Sequence, residues 1–223
     1  IWIGLSLIPS FIGAGKFIIT LGLFKIMIAG AYFGSAVLIY KIAHKLRFRN
    51  PLLPVVLYAL NPLVVVEALV NSHMEFVMIF FGLAALNFSL RKKQVISWLA
   101  LVASLGIKYM TIFLIPVLLK GRTWLHRTVW LGLVLTTAWI AYYGFQPWYI
   151  LWVLPFVYLL PPASREIKLA TLFSITALFW NVPLVLSGDF NLPSWQSRTG
   201  YIIIPYLAGL VIWRNFSSLK KSI

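Results

Sequence analysis

Long apolar segments alternate with short polar or basic stretches along the whole chain. The apolar runs recur roughly every 20 residues, the length that crosses bilayer hydrocarbon as a helix. Several runs are shorter than the ~20 residues of a full crossing, so short and broken helices are expected. Read outward from the charges, the pattern predicts helices at about 2–13, 20–42, 51–60, 62–72, 74–90, 94–107, 109–119, 128–144, 148–161, 166–187 and 200–214.

Two positions interrupt the apolar runs. Asn61-Pro62 favours a break, because proline restricts the residue before it and cannot continue a helix. Lys108 lies near the centre of the apolar segment 94–119. One continuous helix there would bury an ammonium group at mid-bilayer, at a cost of at least ~2.5–3.5 kcal/mol. The sequence therefore predicts two short crossings that meet near Lys108.

Composition supports the membrane class. The chain is 61% hydrophobic and 10% charged, with a mean hydropathy of +0.93, whereas a soluble domain carries about 25% charged residues. Cysteine is absent, which excludes disulfides and thiolate chemistry. The predicted fold class is all-α: a polytopic transmembrane helix bundle with several short or broken helices, forming one domain over residues 1–223.

The net charge of +15 does not indicate a nucleic-acid partner. The basic residues lie in short loops, as they do on the cytoplasmic side of helical membrane proteins. With a break at Lys108, the basic clusters all fall on one side of the bilayer. These clusters are 41–49, 91–93, 120–127, 165–168 and 214–221, and the Lys and Arg residues that lie elsewhere are Lys16, Lys25, Lys108 and Arg198.

The stretch "EALVNSHME" (67–75) holds two of the four acidic residues of the chain. Glu67, Asn71 and Glu75 are spaced i, i+4, i+8, so an unbroken helix would place them on one face. The predicted topology instead requires the chain to turn at 71–73, which includes His73. Carboxylates, an amide and an imidazole can bind sugar hydroxyls, hold a divalent cation or act as a general base. The structural alternative is a capped interfacial turn between two helices.

Other polar and aromatic residues fall on the same predicted side of the bilayer. Lys108, followed by Tyr109, is a candidate phosphate-binding cation; the alternative is a snorkelling interfacial lysine. Gln146, Trp148 and Tyr149 of "QPWY" are a candidate platform for a sugar or a prenyl chain; the alternative is an ordinary interfacial aromatic belt. Asp189, in "GDFNLPSWQSR", is the third acid on this side.

Three stretches in order carry a family resemblance: "YALNPLVVVEALVNSHMEFVMIFFGLAAL", "RKKQVISWLALVASLGIKYMTIFLIPVLLK" and "QPWYILWVLPFVYLL". The sequence resembles the polyprenyl-phosphate-dependent membrane glycosyltransferases of the GT-C fold, and most closely the bacterial mannosyltransferases among them. The resemblance implies a plasma-membrane protein that transfers a hexose from a polyprenyl-phosphate donor to a glycan or lipid acceptor at the extracytoplasmic face. Mannose is the hexose that the resemblance favours.

The resemblance also implies roles for the candidate residues. Glu67 and Glu75 would be catalytic, while the substrates would be bound by Asn71, His73, Lys108, Tyr109, Gln146, Trp148, Tyr149 and Asp189. No cofactor is required by these residues, and a divalent cation between the carboxylates is left open.

The chain departs from the family pattern in one respect. Such enzymes usually carry an acid near the N-terminus, in the first large extracytoplasmic loop, and no acid precedes Lys16 here. The sequence is therefore expected either to be the C-terminal part of a longer protein or to be a degenerate relative, and as it stands to lack that catalytic acid. The alternative function is a non-catalytic one: a lipid-carrier flippase or transporter, or a subunit of a membrane complex, that binds a lipid-phosphate headgroup.

Overall fold

The computed structural model describes residues 1–188 and 195–219, and all regular elements within them are helical. The α-helices are α1 (Trp2–Gly13), α2 (Phe17–Lys45), α3 (Leu52–Ala59), α4 (Pro62–Val65), α5 (Glu75–Leu90), α6 (Gln94–Leu105), α7 (Ile115–Lys120), α8 (Leu125–Tyr143), α9 (Leu154–Val157), α10 (Arg165–Ala177), α11 (Val182–Ser187) and α12 (Trp195–Leu219). A π-helix covers Val66–Val70, and 3₁₀ helices cover Tyr109–Leu114, Arg122–Trp124, Pro147–Trp152 and Leu178–Asn181.

The predicted all-α bundle with short and broken helices is confirmed. Within the described residues, α2 is the one helix long and apolar enough to cross a membrane by itself. The segments Leu52–Ala59 and Pro62–Val70 would form a second span if they are taken together, although they are bent by 59° at their break. The remaining apolar helices are shorter, as the spacing of the charges predicted.

Proline changes the geometry of three predicted helices. The predicted helix 166–187 is divided into α10, the 3₁₀ helix at Leu178–Asn181 and α11, which has Pro183 in its first turn. Segments 109–119 and 148–161 do not form continuous α-helices: each begins as a 3₁₀ helix and continues as a short α-helix with proline in its first turn, at Pro116 and Pro155. Proline has no N–H to donate and its ring clashes with the preceding turn, so it disfavours the continuation of an α-helix, although α1 and α12 do run through Pro9 and Pro205. The first turn of a new helix tolerates proline.

Asn61 joins the broken span to the rest of the bundle. Its Oδ1 accepts hydrogen bonds from the backbone N–H groups of Leu63 (3.0 Å) and Val64 (3.4 Å), which caps α4. Its Nδ2 donates to Tyr158 Oη (3.0 Å) and to Ser174 Oγ (2.7 Å) on α10. The side chain is buried, and its hydrogen-bonding groups are satisfied inside the protein. At the Asn61-Pro62 break predicted from the sequence, the Asn61 side chain thus links α4 to Tyr158 and to α10 by hydrogen bonds.

Helix α5 lies at the centre of the bundle. Most of its residues are buried, and it packs against α2 on one side and α6 on the other. The hydroxyls of Ser97 and Ser104 on α6 each donate to α5 backbone carbonyls, those of Ala85 and Met78, over 2.7 Å. On α2, an added Cβ at Gly34 would lie 2.7 Å from the ring of Phe80 on α5, so a larger residue there would have to displace that ring.

We expect Asn61→Ala to destabilise the protein by about 2–4 kcal/mol, because it removes a helix cap and leaves two buried hydroxyls without their amide partner. The shift in thermal unfolding midpoint of the purified protein measures the effect. Asn50→Ala is the matched control, since the Asn50 side chain accepts a backbone hydrogen bond from Leu52 at an exposed turn. Equal shifts for the two variants would contradict the role given to Asn61.

Candidate functional site

Five side chains form one polar cluster: Glu67, Asn71, His73 and Glu75 of the stretch 67–75, and Lys108. Asn71 Nδ2 donates to Glu67 Oε2 over 2.8 Å, and His73 Nε2 lies 3.1 Å from the same oxygen. The other ring nitrogen, His73 Nδ1, lies 3.4 Å from Glu75 Oε2. Lys108 Nζ donates to Glu75 Oε1 over 2.7 Å. Acidic and basic groups therefore alternate through the cluster.

A π-helix and a left-handed turn place Glu67 beneath His73. The Asn71 N–H bonds to the Val66 carbonyl over 2.9 Å, five residues back, which widens the helix around Glu67. Ser72 then adopts φ 55, in the left-handed region, where a non-glycine residue costs roughly 1–2 kcal/mol. The turn brings the His73 N–H to the Glu67 carbonyl at 3.0 Å. The turn predicted at 71–73 is thus present, with strain at the candidate site.

Glu75 and Lys108 are placed by the ends of neighbouring helices. Glu75 is the first residue of α5, where the unpaired N–H groups of a helix favour a carboxylate. Helix α6 ends at Leu105, and Lys108 is extended, with φ −155 and ψ 134, before the next helix begins at Tyr109. The predicted break near Lys108 is confirmed, and it brings the ammonium group to the cluster.

The two carboxylates are the deeper layer of the cluster. Glu67 and Glu75 are only 1% and 2% exposed, whereas the side chains of His73 and Lys108 are 24% and 20% exposed. A buried carboxylate is stable only if it is paired and hydrogen-bonded. The cations meet this requirement and form the outer layer, where they can contact a ligand.

His73 is held in its protonated form. Burial lowers the pKa of its imidazole, but the hydrogen bonds to Glu67 and Glu75 and the charges of both carboxylates outweigh burial and raise the pKa to about 9. At neutral pH the cluster therefore presents two positive charges, on His73 and Lys108, above two negative ones.

Aromatic side chains form a wall beside the cations. The His73 ring stacks on Trp148, with centroids 4.6 Å apart and planes 27° apart. Lys108 Nζ lies 4.8 Å from the ring centroid of Trp152 and 5.8 Å from that of Tyr149, within cation–π range. Residues i and i+3 eclipse one another in a 3₁₀ helix, so the 3₁₀ geometry of Pro147–Trp152 points Tyr149 and Trp152 to the same cation.

Two predicted site residues lie apart from the cluster, and a third falls outside the described residues. The Tyr109 ring is half exposed and packs against Trp139, with centroids 5.4 Å apart. Gln146 precedes the 3₁₀ helix, where its carbonyl accepts the Tyr149 N–H over 3.1 Å. Its side chain makes no hydrogen bond to any residue the structure describes. Asp189 lies outside the described residues.

Sequence reasoning missed the structural role of Lys25. Its Nζ donates to the Val70 carbonyl over 3.0 Å and lies 3.4 Å from the Leu69 carbonyl. These carbonyls end the π-helix, where a positive charge is favourable. Lys25 therefore anchors α2 to the segment that carries Glu67. The position of Lys25 away from the basic clusters could have indicated this role. A single cation on the side of the bilayer that carries the acids is expected to bind a carboxylate or a carbonyl group.

In the part of the chain that it describes, the structure shows no arrangement of ligands for the divalent cation that the sequence left open. Among the described residues, no group of three or more His, Asp and Glu side chains is arranged as metal ligands. Calcium and magnesium require several oxygen ligands free to coordinate, whereas each carboxylate here already faces a cationic side chain.

The raised pKa of His73 predicts a pH-dependent stability. Because the folded-state value of about 9 exceeds the unfolded value of 6.5, His73 stabilises the fold fully below about pH 6.5, and the contribution is lost as pH rises through about 9. The difference in unfolding midpoint between wild type and His73→Gln should be largest at about pH 6 and should close by about pH 10.

His126→Gln is the control for this experiment, because His126 is more than half exposed in its pair with Glu166 and should contribute less than about 1 kcal/mol. A difference between wild type and His73→Gln that does not vary with pH would contradict the charged state assigned to His73.

Comparison with known proteins identifies one family. The family model described as "Alpha-(1->6)-mannopyranosyltransferase, N-terminal domain" matches residues 2–126, while no curated protein and no solved structure matches the chain. The matched segment contains all five residues of the polar cluster, and the aromatic wall at 148–152 lies beyond it. Since the match covers more than half of the 223 residues, the chain belongs to the family of the alpha-(1->6)-mannopyranosyltransferase N-terminal domain.

Proposed function

We propose that the protein transfers a hexose, most fittingly mannose, from a polyprenyl-phosphate donor to a glycan or lipid acceptor at the extracytoplasmic face of a bacterial plasma membrane. Membership of a mannosyltransferase family supports glycosyltransferase activity in general. The observation that carries the proposal is the layered polar cluster, with two buried carboxylates covered by two accessible cations. This arrangement suits a reaction that moves a proton and releases a phosphate.

In this proposal the two cations bind the donor phosphate. His73 and Lys108 are the accessible members of the cluster. The Lys108 ammonium has three N–H donors and can give charge-assisted hydrogen bonds to phosphate oxygens, whereas both ring nitrogens of His73 already face carboxylates, so His73 contributes its positive charge. When the bond between the anomeric carbon and the phosphate oxygen breaks, its electron pair stays on that oxygen. Cations fixed beforehand stabilise this developing charge without reorganisation at the moment of reaction.

Glu67 is the carboxylate best placed to accept the proton of the acceptor. Both oxygens of Glu75 are engaged, Oε1 by Lys108 and Oε2 by His73. Glu67 is engaged through Oε2 only, and its Oε1 makes no hydrogen bond to any residue the structure describes. We assign Glu67 as the general base and Glu75 as the residue that positions both cations. The acceptor oxygen forms the new bond to the anomeric carbon, and direct displacement inverts that carbon.

An aromatic groove supports a lipid-linked donor. A cavity of about 300 Å³ is lined by eight side chains, nearly all of them apolar: Tyr109, Met110, Ile112, Leu135, Ala138, Trp139, Tyr142 and Tyr143. The ring of Trp139 lies 6.0 Å from that of Trp152, which contacts Lys108. A donor whose phosphate lies at Lys108 would have an adjacent groove for its prenyl chain. Tyr109 therefore fits a role in lipid binding rather than in sugar binding.

The positions of the charges on α5 and α6 support an extracytoplasmic site. Helix α5 begins at Glu75 and ends just before the basic stretch 91–93, so its 16 residues separate the cluster from that stretch by about 24 Å. Helix α6 returns from Lys93 towards Lys108. Because basic loops face the cytoplasm, the cluster at the other end of this hairpin would face outward.

Glu67→Gln tests the proposed base. We expect kcat for mannose transfer from a polyprenyl-phosphate mannose donor to fall about 10²–10⁴-fold, because the amide cannot accept the proton. The full natural chain is purified, and labelled mannose is followed into the acceptor fraction. Glu166→Gln is the matched control, since this acid pairs with His126 outside the polar cluster, and it should retain wild-type activity.

Two results would contradict the proposal. Full activity of Glu67→Gln would exclude Glu67 as the base. Movement of the lipid phosphate across proteoliposome membranes, without any labelled transfer product, would favour the flippase or transporter. The internally satisfied Asn61 group favours the enzyme, because its polar atoms are directed at Tyr158, Ser174 and the backbone of α4 and do not line a path through the bundle.

If the groove binds the prenyl chain, KM should depend on the length of that chain in the donor. Tyr109→Ala should raise KM for a long-chain polyprenyl donor about 5–30-fold, because it removes apolar contact area along the chain. KM for a water-soluble donor with a single prenyl unit should stay unchanged. Tyr201→Ala, which alters an exposed tyrosine outside the groove, is the control. Equal effects on both donors would show that the groove does not hold the chain.

A further inference from the structure

A second polar feature lies at the opposite end of the α2 and α5 helix pair. A cleft of about 430 Å³ is lined by Tyr40, Lys41, His44, Lys45 and Arg91. The first four residues belong to the C-terminal end of α2, and Arg91 directly follows α5. Four of the five lining side chains are basic, and all five are exposed.

The basic side chains of this cleft have no acidic partner. Within the described residues, Lys41, His44, Lys45 and Arg91 make no ion pair and no side-chain hydrogen bond. Glu166, the acid in the basic stretch 165–168, is bound to His126 at 3.0 Å and to the Trp130 indole at 3.3 Å. The positive charge of the cleft is thus uncompensated by protein groups.

Two ordinary effects explain part of this arrangement. Cytoplasmic loops of membrane proteins are basic, and His44 and Lys45 lie in the last turn of α2, where the helix dipole favours cations. Neither effect requires Arg91, from a different helix, to line the same cleft. In the turns beside the cleft, Arg47 and Lys92 adopt left-handed backbone conformations, with φ 64 and φ 60. Glycine would be less strained at these two positions, yet both residues are basic.

An exposed apolar strip on α2 leads into the cleft. Phe33, Val37 and Tyr40 are 60%, 51% and 40% exposed. With His44, they follow the spacing i, i+4, i+7, i+11, which places all four on one face of the helix. A ligand that fits both parts must carry a negative charge at one end and an apolar chain at the other.

We propose that this cleft binds the phosphate of an anionic phospholipid headgroup, with the acyl chains lying along the exposed face of α2. The recognising chemistry is a phosphate ester held by lysine and arginine, with arginine able to form two parallel hydrogen bonds. The site is separate from the polar cluster, and it does not depend on the sugar-transfer reaction.

Native mass spectrometry of the full chain in detergent tests the proposal, with phosphatidylglycerol and phosphatidylcholine added in equal amounts. The wild type should retain phosphatidylglycerol preferentially. Each of Lys41→Gln and Arg91→Gln should lower the affinity for phosphatidylglycerol about fivefold, the usual effect of one basic residue at an anionic lipid surface. Lys120→Gln and Arg122→Gln are matched controls, since both residues are exposed and basic but lie outside the cleft.

Three outcomes would overturn the proposal. Equal retention of the two lipids would exclude recognition of the anionic headgroup. Equal losses in the cleft and control variants would show only a general attraction between a basic surface and anionic lipid. Displacement of phosphatidylglycerol by low millimolar inorganic phosphate would identify free phosphate as the occupant. Unchanged unfolding midpoints in Lys41→Gln and Arg91→Gln exclude misfolding as the cause of weaker binding.

Discussion

The burial of two carboxylates is the constraint on which the candidate site depends. Glu67 and Glu75 are almost fully buried in an apolar bundle, where an unpaired carboxylate would cost several kcal/mol. His73 lies between them and contacts both, and Lys108 neutralises Glu75 from a segment 33 residues further along the chain. The pairing therefore fixes where the α5–α6 hairpin ends and how the strained turn at Ser72 closes.

The same pairing separates the chemical roles of the side chains. Because the carboxylates lie beneath and the cations lie outside, a substrate of the proposed reaction would first meet His73, Lys108 and the partly exposed rings of Trp148 and Tyr149. A buried acid can accept a proton only where one of its oxygens remains available, and Glu67 meets this condition whereas Glu75 does not. The cluster thus places a positively charged surface above one carboxylate oxygen that makes no hydrogen bond to a described residue, which supports the proposed roles in phosphate binding and proton transfer.

The sequence was informative where polar residues interrupt apolar runs. In a chain with so few acids, the cost of placing Glu67, Glu75 and Lys108 near a bilayer made their positions conspicuous. The breaks at Asn61-Pro62 and near Lys108 followed from the backbone chemistry of proline and from the cost of a buried ammonium. These residues were predictable because a single physical rule restricts each of them.

Other features depended on information that residue patterns do not carry. The π-helix at Val66–Val70 differs from an α-helix only in hydrogen-bond register, and no residue type specifies that register. The 3₁₀ helix at Pro147–Trp152 brought Trp152 to Lys108, although the sequence had favoured Gln146 and Tyr109. Lys25 acts on backbone carbonyls that become accessible only once the π-helix ends. These contacts arise from tertiary geometry.

The two charged regions of the molecule are linked by one structural element. Helix α5 carries Glu75 at its first turn and is followed by Arg91 at its end, so opposite charges lie at opposite ends of this largely buried helix. The acid at the N-terminus and the cation beyond the C-terminus each suit the helix dipole. A shift of α5 along its axis would remove Glu75 from Lys108 and, at the same time, Arg91 from the cleft beside Lys41. The register of this helix against α2 and α6, set by Gly34 and by the hydroxyls of Ser97 and Ser104, therefore holds both regions in place.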